Sequence, residues 1–178
     1  MTKVSQLTVP LYGTNFGVDF NPAADRLRVV SDYGQNLRHN LADHSTTEDA
    51  VLTTPPSSGP TRAITAAAYT NNDLNGATAT TLFVINPTTD EVVIQSPANN
   101  GTLAATGKLG VDVTASAGFD IYADLTNGRT TSNTAFAALT PAHGSATLYS
   151  IDLLTGAASS VGMFPLDVGD LAIVLDTY

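Results

Sequence analysis

The chain has 178 residues, 43% of them hydrophobic and only 13% charged, so it can bury one core and is too apolar for disorder. Seven Lys and Arg stand against 16 Asp and Glu, and a net charge of -9 disfavours phosphate backbones and anionic membrane surfaces. With no cysteine, disulfides, thiolate metal sites and cysteine nucleophiles are excluded.

Residues 4–9 read as a strand ended by Pro10, and 16–21 as a second stopped by Pro22. Strands over 26–31 and 35–40 are joined by a Tyr33-Gly34 turn, and 50–53 reads as a short edge strand before Pro55-Pro56. Residues 54–60 are a loop, because the same strand pattern resumes after them. A strand over 64–70 precedes the polar loop 71–78. Strands over 81–86 and 91–96 flank a hairpin turn at Pro87–Asp90. Strands over 103–109 and 117–123 follow, then a loop over 124–133, then strands over 134–139, 147–152, 157–161 and 169–176. No segment carries a sustained 3.6-residue apolar stripe, and Lys and Glu, the usual fillers of exposed helix faces, number two each. No apolar run reaches the ~20 residues of a membrane helix, so membrane insertion is not expected. No charged-then-apolar leader opens the chain, so a signal peptide is expected to have been removed or never present.

The strands repeat. Phe16-Gly-Val-Asp-Phe20 matches Gly118-Phe-Asp-Ile-Tyr122 and Gly169-Asp-Leu-Ala-Ile173, with Ile64–Tyr69 in the corresponding place between them. A period of roughly 50 residues carrying four strands is the pattern of a propeller blade. The expected fold is all-β: a single propeller-like domain over 1–178 with units at 16–53, 63–109 and 116–162 and a closing strand at 169–176. Three full units fall short of the four that a closed propeller needs. The chain is therefore read as a partial propeller completed by a second chain, with a homodimer the expected assembly. The competing outcome pairs the two terminal strands within one chain.

The stretch Phe16-Gly-Val-Asp-Phe-Asn-Pro-Ala-Ala-Asp-Arg-Leu-Arg-Val-Val-Ser-Asp-Tyr-Gly-Gln-Asn-Leu-Arg38 resembles a bacterial family known only as domain of unknown function 4394. Ile64–Asn72, Thr81–Ile85, Asn100–Leu103, Leu109–Asp112 and Gly118–Ile121 fit it too. The resemblance implies propeller-like repeats and a secreted or surface, extracytoplasmic setting. It implies no catalytic residue.

Three of the five arginines lie within 13 residues, amid Asp19, Asn21, Arg26, Arg28, Gln35, Asn36 and Arg38. Arg26 and Arg28 share one strand face, Asn36 and Arg38 a face of the next. Planar guanidinium groups suit a carboxylate or phosphate, so one reading is an anion or sugar-acid site. The other is an internal network in which the arginines pair with Asp19, Asp25 or Asp32. Tyr69, Asn71 and their neighbours combine a ring with amides, as a carbohydrate contact requires, or form an Asn-rich turn beside a core tyrosine. Asp112, Asp120, Asp124 and Asp152 are oxygen donors of the kind Ca²⁺ takes, yet no spaced EF-hand pattern occurs and solvated turns explain them better. No cofactor is implied.

His39, His44 and His143 show no zinc spacing, and no nucleophile elbow, phosphate loop or dinucleotide fingerprint appears. Two functions remain in view. One is an extracytoplasmic module that binds a small anionic or carbohydrate ligand on the first repeat. The other is a hydrolase of an ester, lactone, phosphate or glycoside, cation-assisted, using the same polar residues.

Overall fold

The computed structural model describes residues 2–176 and is built from twelve strands and one helical turn. β1 (Phe16–Asn21), β2 (Arg26–Ser31), β3 (Asn36–His39) and β4 (Thr46–Glu48) form the first sheet. β5 (Ala66–Tyr69), β6 (Leu82–Asn86), β7 (Glu91–Gln95) and β8 (Leu103–Lys108) form the second. β9 (Val113–Thr126), β10 (Arg129–Pro141), β11 (Thr147–Ile151) and β12 (Ala158–Met163) form the third. Each sheet is an antiparallel meander in chain order, as its short hairpin turns dictate. The helical turn, Ala98–Asn100, is 3-10. The fold is thus all-β, in three four-stranded antiparallel sheets.

The second sheet lies between the other two. Ala67, Tyr69, Leu82 and Val84 pack toward Val30, Leu52 and Ile64. Ala66, Ala68, Phe83 and Ile85 pack toward Phe119, Ile121, Ala135 and Ala137. Covered on both faces, β6 is apolar without alternation until Asn86. The inner strands use small residues because they converge. A Cβ at Gly17 would lie 2.6 Å from the backbone of Ala66 and Ala67, too close for any side chain.

Four local expectations need correction. Residues 4–9 form no strand. They lie along the first sheet through side chains, with Ser5 Oγ bonded to His39 Nε2 at 2.7 Å and Thr8 N–H donating to Thr46 Oγ1 at 2.9 Å. The fourth strand of the first sheet is 46–48, not 50–53, because Asp49 turns inward to two arginines and Ala50 N–H crosses to Asn99 O. The loop expected over 124–133 is the tip of the long β9–β10 hairpin. Asn127 and Gly128 both have positive φ, 53° and 70°, the Asn-Gly pair that a tight hairpin turn favours. Residues 169–176 run beside β9 without joining a ladder.

Candidate functional site

The β2–β3 register sets Arg28 directly opposite Arg38, an arrangement that two like charges disfavour. Asp49 resolves it. Its Oδ2 accepts from Arg28 Nη1 and Arg38 Nε, each at 2.7 Å, and its Oδ1 accepts from Arg38 Nη2 at 2.8 Å. Arg28 is only 1% exposed. Its guanidinium makes three more bonds: Nη1 to Asn36 Oδ1 at 2.8 Å, Nη2 to Asn99 Oδ1 at 2.7 Å and Nε to Tyr69 Oη at 3.2 Å. Asn36 Nδ2 donates to the Ala50 and Ala98 carbonyls, each at 3.0 Å, and Gln95 Nε2 donates to Asn36 Oδ1 at 3.1 Å. A buried cation needs this density of partners.

Of the residues singled out in the sequence, Arg28, Asn36, Arg38 and Tyr69 therefore meet in one network at the seam of the first and second sheets. Asp19 reaches the same tyrosine from β1, where its Oδ2 accepts from Tyr69 N–H at 2.6 Å. Arg26 stays outside and donates to Ala24 O and Asp25 O at the β1–β2 turn. Asn21 caps that turn by accepting from Ala23 and Ala24 N–H. Gln35 faces the other way, donating to Pro10 O and accepting from Tyr12 N–H. Asn71 lies at the second sheet's junction with the third. Its N–H donates to Asn133 Oδ1 at 2.9 Å, and Asn133 Nδ2 donates to Asn71 Oδ1 at 2.8 Å. Asp49, Asn99 and Gln95 were not among the sequence candidates. An odd aspartate after a polar strand was a readable signal for Asp49; nothing local marks Asn99 or Gln95.

Asp19 and Asp120 occupy matching places on β1 and β9. Asp19 Oδ1 accepts from Phe20 N–H and Asp120 Oδ1 from Ile121 N–H, each at 2.7 Å. Their second oxygens reach the neighbouring inner segment, Asp19 to Tyr69 N–H and Asp120 to Ile173 N–H, each at 2.6 Å. Burial pushes the Asp19 carboxyl up to about 7; the Tyr69 N–H pulls it down, and Asp120 adds to the rise. With all four oxygens accepting from backbone N–H groups, these two carboxyl groups act as braces between inner strands. Both also line a cleft of about 240 Å³ with Phe20, Asn72, Leu74 and Ile173.

A larger groove, about 750 Å³, opens between the second and third sheets. Thr81, Thr134, Ser150 and Ser159 bring hydroxyls to its wall, Asn133 an amide and Asp152 a carboxylate. Phe83 and Leu154 give apolar surface, and Leu154 is 84% exposed at the rim. Asp152 Oδ1 caps its own turn by accepting from Leu154 and Thr155 N–H. Among the described residues no three His, Asp or Glu side chains gather closely enough to hold a metal ion. No helix among them is long and apolar enough to cross a membrane.

The model of the family described as domain of unknown function (DUF4394) matches residues 1–172. The chain belongs to this family. No curated protein matches it.

Proposed function

We propose that this DUF4394 chain is a non-catalytic binding module of propeller-like build, in which three sheets act as blades and segment 169–176 stands as the lone inner strand of a fourth. Its ligand is neutral and rich in hydroxyls, as a short carbohydrate is. The observation that carries this reading is the groove between the second and third sheets. Thr81, Thr134 and Ser159 present hydroxyls there that make no hydrogen bond among the described residues, and the exposed Leu154 offers a flat apolar contact at the rim. A sugar face needs that pairing of apolar surface with donors and acceptors. The first-repeat arginines support an anionic ligand less well, since Arg28 spends its donors on Asp49, Asn36, Asn99 and Tyr69. An extracytoplasmic setting rests on the resemblance to secreted and surface proteins.

A panel of neutral di- and trisaccharides, titrated into isotope-labelled protein, tests the proposal. Amide shifts clustered at Thr81, Thr134, Ser150 and Leu154 are expected. Unchanged spectra across the panel at high millimolar sugar would sink it. The hydrolase alternative has one observation on its side, the shared cleft of Asp19 and Asp120 with one carboxyl near neutrality. Turnover of chromogenic esters, phosphates or glycosides that Asp120→Asn abolishes, with or without Ca²⁺, would favour it.

A further inference from the structure

Segment 169–176 repeats the placement of β5. Gly17 of β1 packs on the backbone of Ala66 and Ala67, and Gly118 of β9 packs equally closely on the backbone of Asp170 and Leu171. Three residues further along each partner, Asp19 accepts from Tyr69 N–H and Asp120 accepts from Ile173 N–H. Ile173 is therefore the counterpart of Tyr69, and Asp170 of Ala66. In β5 the N–H groups alternate in direction. Tyr69 N–H turns to Asp19, whereas Thr70 N–H crosses to Thr81 O in line with the β6 ladder. By the same alternation, Leu171 and Ile173 N–H are held by the carboxylates of Asp170 and Asp120. The N–H and C=O groups of Asp170, Ala172 and Val174 then point where a β6 would lie. Among the described residues none of these groups has a hydrogen-bond partner. Apolar surface flanks this edge: Val174 is 85% exposed, Leu175 46% and Phe20 44%.

We propose that this edge is a dimer interface, closed by the same segment of a second copy in antiparallel pairing about a two-fold axis through Ala172. The sequence is self-complementary in that register. Leu171 falls opposite Ile173, Asp170 opposite Val174 and Gly169 opposite Leu175. Residues on the β9 side meet residues on the β9 side, and no carboxylate faces another. The N–H groups of Asp170, Ala172 and Val174 in each copy find the carbonyls they lack. Unpaired edges of this kind are natural templates for strand addition, and an isologous two-fold contact closes on itself without making a fibre. With -9 on each copy, the approach is opposed by long-range repulsion that salt screens, so the dimer tightens as ionic strength rises.

Sedimentation equilibrium of the full chain over a wide micromolar range, at low and raised salt, tests the proposal. A reversible shift from 18.4 kDa toward twice that mass, favoured by salt, is expected. Ala172→Pro removes the central N–H and should abolish the dimer. Because the Val174 side chain is solvent-exposed, substitutions there leave the monomer fold intact, and circular dichroism confirms it. Val174→Asp places a carboxylate opposite Asp170 twice over and should weaken dimerisation by about tenfold, whereas Val174→Lys should strengthen it. A mass of 18.4 kDa at every concentration overturns the proposal. So does a dimer indifferent to all three substitutions, or a monomer whose edge instead takes up an unrelated extended peptide.

Discussion

The Arg28 network and segment 169–176 stand at equivalent kinds of place, where an inner strand meets the next sheet, yet they are finished to opposite degrees. At the first seam Asn36, Asp49, Tyr69 and Asn99 accept from all three nitrogens of the Arg28 guanidinium, and Arg28 is 1% exposed. At the last seam two carboxylates span the gap, Asp120 accepting from Ile173 N–H and Asp176 from Leu125 N–H, and segment 169–176 itself joins no ladder. The difference teaches where stability and where association belong in this fold. Buried charge is tolerated only in a closed network, and unpaired backbone persists only where solvent or another chain can reach it.

The largest effect should come from breaking the closed seam. Asp49→Asn leaves Arg28 buried and Arg38 opposite it without their shared anion, and should cost about 3–5 kcal/mol. That is a large part of the stability of an ordinary domain and is measurable as the urea midpoint. Arg38→Ala, which removes a one-third-exposed member of the same cluster, should cost only about 1 kcal/mol by the same measurement.

Acidity probes the brace that joins the two kinds of seam. Desolvation raises the half-buried Asp19 carboxyl to about 7, whereas the unfolded chain titrates near pH 4. Between those values the native state binds more protons, so this group's contribution to stability falls as pH rises from about 4 to 7. The loss between pH 5 and 7.5 should be about 3 kcal/mol at most, and Asp170, also raised by burial, acts in the same direction. Asp32, Asp73 and Glu91 are lowered and exert their effect below this window. Thermal melts at pH 5 and 7.5 should show the higher midpoint at pH 5, and Asp19→Asn should shrink the difference. An unchanged difference would mean that the brace is not what titrates.

Much of this contrast is legible in the residues themselves. Turn chemistry at Tyr33-Gly34 and Pro87–Asp90, together with the recurring Gly-x-Asp of the inner strands, marks the three sheets because each depends on local sequence. The arginine pairing was visible too, since Arg28 and Arg38 lie on adjacent strands of one hairpin. Its anion was not. Asp49 and Asn99 arrive from a chain turn and from the second sheet, and such long-range partners leave no periodicity. Residues 4–9 and 169–176 have the apolar composition of strands, but a strand needs a neighbour, and composition does not say whether one is there. The Asn127-Gly128 turn was a missed signal.

The smallest effects concern the exposed groove. Leu154→Ala should leave the urea midpoint within about 0.5 kcal/mol of the parent, as surface changes do, while weakening any saccharide that the groove holds. A stability loss as large as that of Arg38→Ala would show that Leu154 supports the third sheet instead.

The contrast between a finished and an unfinished seam is tested most directly by amide hydrogen exchange at single residues, followed from dilute to concentrated protein. Ala68 and Thr70 should be protected at every concentration, because β6 is always present. Ala172 and Val174 should exchange freely when dilute and slow down as concentration rises, while Ile173, held by Asp120, changes little. Protection of Ala172 and Val174 as strong as that of Ala68 in the dilute monomer would contradict the account.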